Sequence, residues 1–174
     1  GRLTGTVHFD DRLRPEVPAL MLRLAALGIT DTTMLTGDRP ANADAIAHAA
    51  GIRHVLANLL PAGKVAAIGE LRRRHGSVMM VGDGINDAPA LAAASVGVAL
   101  GAHGPAAAAE AADIVLLVDA VERAADAIAI SRYTRRIALQ SIGVGLGVSS
   151  ALMLVAASGH IEPAAGAIMQ EALD

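Results

Sequence analysis

From Ile137 to Ser158 the chain runs through 22 residues, IALQSIGVGLGVSSALMLVAAS, without a charge. No other feature restricts the fold so sharply, because such a stretch belongs either across a bilayer or inside the buried core of a soluble domain. At about 1.5 Å per helical residue it reaches roughly 33 Å, enough for a bilayer core of about 30 Å. All 14 Lys and Arg residues lie at or before Arg136, and beyond it the charged residues are Glu162, Glu171 and Asp174. Arg132, Arg135 and Arg136 stand where the cytoplasmic end of a span is expected. Glycines 143, 145 and 147 weaken a soluble helix but suit a membrane one, and Gly143 and Gly147 form a small-xxx-small pair. His160, Glu162 and Pro163 then read as a short turn. Ala164 to Asp174 begins a return helix that is too short to cross. The chain starts at Gly1 rather than Met, with no signal peptide, and is expected to be a piece of a longer protein.

Up to Arg136 the chain balances 14 basic against 14 acidic residues, so the tail supplies the whole formal charge of −3. That balance excludes a generally basic nucleic-acid-binding protein. Hydrophobic residues make up 53% of the sequence, which excludes disorder, and the absence of cysteine excludes a disulfide framework or a thiolate metal site. Short apolar runs predict strands at Thr6–Phe9, Thr32–Leu35, His54–Leu56, Val78–Val81, Val96–Ala99 and Ile114–Leu117. Between them, helices are predicted at Val17–Leu27, Ala41–Ala50, Gly63–His75, Ala88–Ala94 and Ala106–Ala111. Gly28, Gly51 and Gly76 follow three of these where left-handed caps are wanted. The alternation predicts an α/β domain, a mostly parallel doubly wound sheet with helices on both faces. A last helix, from about Asp119, is expected to run on into the uncharged stretch. The domain therefore covers about 1–130. The membrane segment covers 131–174, with one full span at about 137–158 and the start of a second at about 164–174.

In an open parallel sheet, chemistry gathers at the carboxyl ends of the strands. Three predicted strands end there in polar sequence: Phe9-Asp10-Asp11, Met34-Leu35-Thr36-Gly37-Asp38, and Val81-Gly82-Asp83-Gly84-Ile85-Asn86-Asp87. Asp83 follows an apolar run and so leaves the sheet edge as a carboxylate on a rigid strand. The glycines beside it permit unusual backbone angles and close approach of a ligand. Asn86 and Asp87 enter the next helix, where their side chains can cap its first turn. Hard oxygens of this kind suit Mg²⁺, which keeps several waters and takes one or two protein carboxylates plus phosphate oxygens. Thr36-Gly37-Asp38 reads as a phosphate cradle, or Asp38 reads as the cap of the helix starting near Pro40. Lys64, the only lysine, sits at a helix start and opposes the helix dipole unless an anion is near. Together these parts describe a phosphoryl-transfer site without a nucleophile. None of the six histidines has ligand spacing; His48, His54, His75 and His103 read as surface or turn residues.

Met34–Asp38, Leu60-Pro61 with Lys64, and Val81–Ala92 closely resemble the P-type ATPases. Asp10–Pro15 resembles the family's Asp-x-x-Arg-Pro stretch, and Ala111–Leu116 also fits. Ala138–Ser141, Gly159–Pro163 and Gly166–Glu171 resemble the heavy-metal-transporting branch. The resemblance implies a haloacid-dehalogenase-like phosphorylation domain in which an aspartate accepts the γ-phosphate of ATP. On that reading Thr36, with Gly37 and Asp38, holds the phosphoryl group and Lys64 neutralises it. Asp83 and Asp87 serve Mg²⁺, and Asn86 hydrogen-bonds the phosphate. ATP and Mg²⁺ are the implied cofactors, and a transported metal cation and the lipid bilayer the implied partners. The implied location is the cell membrane, multi-pass, with the catalytic domain in the cytoplasm. Glu171 and Asp174, three residues apart in the return helix, are candidate ligands for the transported ion.

The family's nucleophile lies in Asp-Lys-Thr-Gly-Thr, and this sequence has no such motif; at Leu3-Thr4-Gly5-Thr6 the residues Arg2 and Leu3 stand in the wrong places. The nucleotide-binding domain, the actuator and the upstream membrane helices of the family are absent as well, so the chain alone is expected neither to become phosphorylated nor to pump. Two other readings share the same residues: a soluble haloacid-dehalogenase-like phosphatase, and a non-catalytic membrane-anchored module that binds Mg²⁺ and phosphate. The first needs a nucleophile on its first strand and no apolar span, neither of which this sequence provides.

Overall fold

A computed structural model describes residues 12–83, 86–101 and 110–159. The chain divides into two compact units, Gly1–Asp126 and Ala127–Asp174. In the first, helices and strands alternate as α1 (Val17–Ala26), β1 (Thr33–Leu35), α2 (Pro40–Ala50), β2 (His54–Leu56), α3 (Pro61–His75), β3 (Met79–Gly82), α4 (Ala88–Ala93), β4 (Val96–Leu100) and β5 (Ile114–Leu116). These match the expected elements to within two residues at each end. The predicted strand at Thr6–Phe9 and all but the end of the predicted helix at Ala106–Ala111 lie outside the described residues.

Among the described residues the strands form two parallel sheets, β1–β2 and β3–β4–β5. Met34 stands opposite Val55 in the first, and Val81 opposite Val98 in the second. Every connection within these sheets that is fully described carries a helix, as parallel pairing demands. Asp113 fixes where β5 begins. Its Oδ2 accepts the Gly97 N–H at 2.8 Å while its own N–H donates to the Gly97 carbonyl at 2.9 Å.

The core lies under α3 and α4. Ile68, Met80, Ala90, Leu91 and Ala99 form its centre, with Leu35, Val65 and Val78 packed around it. Leu35 comes from β1, so the two sheets share one apolar cluster although, among the described residues, no strand hydrogen bonds join them. Small residues set the spacing here. A Cβ on Gly97 would stand 2.7 Å from the Leu91 carbonyl oxygen, closer than any real side chain approaches backbone. Gly51, at φ 75°, takes the left-handed cap expected of it and ends α2 with its N–H bonded to the His48 carbonyl at 3.2 Å.

α5 (Arg123–Ala157) is a single helix of 35 residues, about 52 Å long at the standard rise. Its first turn lies in the first unit, where Asp126 is ion-paired with Arg23 and Arg123. Farther on, Ile137, Leu139, Ile142, Val144, Leu146 and Leu154 are all exposed. At 100° per residue these positions spread over roughly 220° around the axis, far broader than the stripe of an amphipathic surface helix. The helix is long and apolar enough to cross a membrane.

Candidate functional site

Two of the polar motifs follow strands and Lys64 opens a helix, while Phe9-Asp10-Asp11 lies outside the described residues. Thr36, Gly37 and Asp38 follow β1, Asp83 follows β3, and Lys64 occupies the first turn of α3. The structure brings Lys64 and Asp87 together: Lys64 Nζ donates to Asp87 Oδ1 at 2.6 Å, with the two side chains only 16% and 15% exposed. The anion that the placement of Lys64 called for is therefore a side chain of the chain itself. A charge-assisted bond of this kind contributes about 1.5–3 kcal/mol, against about 0.3–1 kcal/mol for the opposing dipole, so the pair outweighs the helix terminus.

That contact corrects one expectation. Asp87 is the N-cap residue of α4, yet its side chain makes no cap bond and turns instead to Lys64. Asp38 is likewise not a cap: Arg39 holds that position before α2, without a side-chain bond. The Asp38 carboxylate accepts from the Thr36 hydroxyl at 2.7 Å, and the same hydroxyl accepts the Asp38 N–H at 3.1 Å. Thr36 and Asp38 thus form a closed local turn at the end of β1. A second correction concerns Gly82. It lies in β3 and is not among the glycines with positive φ; what it supplies is room. A Cβ there would stand 3.0 Å from Asp87 Oδ2 and 3.2 Å from Asp87 Cβ, so the Asp87 side chain rests over a bare strand end.

Asp83 and Asn86 are exposed at the loop after β3. Among the described residues, no group of three or more His, Cys, Asp or Glu side chains could hold a metal ion. Mg²⁺ does not require such a group, since it retains waters and takes few protein oxygens. An exposed carboxylate on a strand end, with a second carboxylate following on the same loop, fits that habit. Arg14, from the Asp-x-x-Arg-Pro stretch, grips Asp119 with both guanidinium nitrogens, at 2.8 and 3.1 Å. That bond holds its guanidinium above the ordinary arginine value despite some desolvation, and Asp83 adds a smaller attraction of the same sign.

The sequence reading missed the stitching between loops. The Leu59 N–H donates to the Thr36 carbonyl at 3.0 Å and the Asn58 N–H to the Asp38 carbonyl at 2.8 Å, tying the loop before α3 to the loop after β1. It also did not place two histidines together: His75 Nδ1 and His54 Nε2 lie 3.3 and 3.8 Å from the Asp31 carboxylate. They line a cavity of about 760 Å³ with Thr33, Arg53 and Arg74, and none of Thr36, Lys64, Asp83 or Asp87 takes part in it. Glu171 and Asp174 lie outside the described residues.

A strand-end hydroxyl, a helix-start lysine and strand-end carboxylates thus mark the loops of a parallel α/β domain. Residues 2–95 match the family model of haloacid dehalogenase-like hydrolases, and the chain belongs to that family. Its relatives are heavy-metal P-type ATPases. It is 42% identical over 161 residues to the cadmium, zinc and cobalt-transporting ATPase of Bacillus subtilis, a match covering 91% of this chain and 23% of that protein. It is 39% identical to a manganese-exporting P-type ATPase of Mycobacterium bovis, covering 99% of this chain and 24% of the other. Among solved structures, a zinc-transporting PIB-type ATPase in the E2·Pi state superposes with a TM-score of 0.85 and 34% identity, over 94% of this chain and 26% of that one. The chain thus spans about a quarter of the length of the relatives it matches.

Proposed function

We propose that this chain supplies the phosphate-holding and Mg²⁺-binding side of an ATP-driven metal-cation transporter that works through an aspartyl phosphate. The observation that carries the reading is the Lys64–Asp87 contact at 2.6 Å. It joins the two motifs that a phosphoryl-transfer site must combine, a fixed cation and a carboxylate loop, from positions 23 apart in sequence. The names of the relatives supply the coupling to metal transport.

In the proposed mechanism an aspartate carboxylate from another part of the protein attacks the γ-phosphorus of ATP. The bond to the bridging oxygen breaks, and ADP leaves with its electrons. Thr36 offers its hydroxyl and Gly37 its backbone to the transferred group, and the Thr36–Asp38 turn holds that hydroxyl in place. Lys64 offsets negative charge on the phosphoryl oxygens, kept in position by Asp87, and Asn86 donates to one of those oxygens. Asp83 and Asp87 would hold Mg²⁺, whose chemistry here is to neutralise the phosphate and align it with the nucleophile. The phosphorylation domain is proposed to run to about residue 130, which the division of the chain after Asp126 supports. Residues 131–174 are proposed to lie in the cell membrane, with Glu171 and Asp174 as ligands of the transported ion.

Acid-stable labelling from γ-³²P-ATP tests this reading. The chain alone is expected to stay unlabelled. The full-length protein carrying an upstream Asp-Lys-Thr-Gly-Thr is expected to label, and to lose the label in Asp83→Asn and Lys64→Ala. Labelling of the isolated chain, or full labelling of both variants, would overturn it.

A further inference from the structure

Among the described residues Asn58 is the non-glycine residue with positive φ, at 54°. For most side chains that conformation is disfavoured, and Asn is among the few that visit it routinely. Strain of this kind persists where surrounding structure requires it. Here the surroundings are two loops of the candidate site. With Asn58 left-handed, two successive N–H groups face the loop after β1: that of Asn58 reaches the Asp38 carbonyl at 2.8 Å and that of Leu59 the Thr36 carbonyl at 3.0 Å. Two residues after Leu59, α3 begins and carries Lys64 in its first turn. The Leu59 carbonyl in turn lies 3.4 Å from where a Cβ on Gly37 would stand, so the loops also meet closely through their backbones.

We infer that Asn58 is a positioning residue. Its left-handed backbone sets the register between the Thr36 hydroxyl and the helix that presents Lys64. The inference rests on the phosphoryl-transfer reading for its purpose, but on backbone geometry for its existence. Both bonds come from main-chain N–H groups, so position 58 contributes a conformation rather than a functional group. Glycine should therefore replace asparagine, and alanine should not. A residue acting through its amide side chain would show the opposite: glycine and alanine would be equally damaging.

The test uses the full chain in detergent, with amide hydrogen exchange, backbone resonances and binding of inorganic phosphate in the presence of Mg²⁺. Asn58→Ala is expected to lower protection of the 58 and 59 amides and to weaken phosphate binding, each about tenfold, as the left-handed penalty converts. It should also shift the Thr36 and Lys64 resonances. Asn58→Gly is expected to restore phosphate binding to within about twofold, a difference of only a few tenths of a kcal/mol. Unchanged Thr36 and Lys64 resonances in Asn58→Ala, or equal loss in Asn58→Gly, would overturn the assignment. If the unmodified chain binds no phosphate while the exchange pattern follows expectation, the phosphoryl-transfer reading falls and the role of Asn58 in setting the register stands. Should Asn58→Ala fail to fold, Asn58→Asp and Asn58→Gly, both tolerant of the left-handed region, must retain the protected amides; loss of protection in either overturns it.

Discussion

Lys64 and Asp87 share a hydrogen bond of 2.6 Å although they stand at the starts of separate helices, one before and one after β3 in the chain, and both side chains are largely shielded from water. Each explains the other's placement. Lysine at a helix start needs an anion, and a carboxylate turned away from its own helix cap needs a donor. A double-mutant cycle with Lys64→Ala and Asp87→Ala, read by denaturant unfolding, is expected to give a coupling energy of about 1–3 kcal/mol. Each single variant should destabilise more than half as much as the double, because it leaves a shielded charge without its partner.

Asp83 separates binding from stability. It is exposed at the end of β3, so Asp83→Asn is expected to change unfolding free energy by less than about 0.5 kcal/mol. Mg²⁺ affinity, measured by calorimetric titration, should fall at least tenfold. Asp87→Asn is expected to lower both, since that carboxylate also holds Lys64. The two variants thus distinguish a carboxylate whose loss is expected mainly in ion binding from one whose loss is expected in ion binding and stability alike.

Glycines 82 and 97 make a graded pair. Alanine at 82 meets the Asp87 side chain at 3.0 Å, and alanine at 97 meets the Leu91 backbone at 2.7 Å. A carboxylate can swing aside, whereas a helix carbonyl packed against the core cannot. Both substitutions are expected to destabilise, Gly97→Ala by the greater amount within the overpacking range of about 1–3 kcal/mol. Only Gly82→Ala should weaken Mg²⁺ binding at matched stability. Thermal unfolding with and without Mg²⁺ reads both effects.

The strand and helix order was legible because period and punctuation agreed: Gly51 ends α2 in the left-handed cap placed there, Gly76 ends α3 at the expected position but at φ 78° and ψ −58° rather than in the left-handed conformation, and the apolar runs became parallel strands. The polar strand ends were legible for the same reason, since a carboxylate after a run of valine and methionine has little other use. What the sequence hid was the choice among partners. Asp87 had a local use, as a cap, and a distant one, with Lys64; a local rule cannot weigh a contact that only packing of α3 against α4 creates. Gly82 was read for its backbone freedom because glycine in a sequence does not say whether φ or space is wanted. Asn58 carried a faint signal, a residue tolerant of left-handed backbone just before an apolar-proline helix start. Nothing nearby indicated that its N–H would face Asp38.

Glu70 gives the first unit a pH-dependent element on α3. Hydrogen bonds from Arg73 and then Arg74, with their charges, hold its carboxyl below the ordinary value of 4.5. A group depressed on folding stabilises the native state at pH above its unfolded value, and that contribution is lost as pH falls through the lowered value. Glu70→Gln is therefore expected to lower the melting temperature slightly at pH 7 and not at all at the acid end. The difference between the two proteins should begin to close below about pH 4.5, where the unfolded carboxyl takes up its proton, and vanish once the folded carboxyl is protonated too. Raising salt at pH 7 should narrow it too, because the group is exposed.

Val148 stands near the middle of the uncharged stretch and faces outward from α5. If that stretch crosses a bilayer, arginine there costs about 2.5–3.5 kcal/mol on insertion scales, enough to turn a mostly inserted helix into a mostly excluded one. Glycosylation acceptor sites placed after Gly159 and before Arg132, expressed with microsomes, read the outcome. The site after Gly159 is expected to be modified in the unmodified chain and the site before Arg132 to stay unmodified, since arginines such as those at 132, 135 and 136 favour the cytoplasmic side of a span. Val148→Arg should abolish most of that modification, whereas Val148→Leu should leave it intact. A helix destined for a soluble core would leave both sites unmodified in every variant, because its exposed apolar side chains would find protein and not lipid.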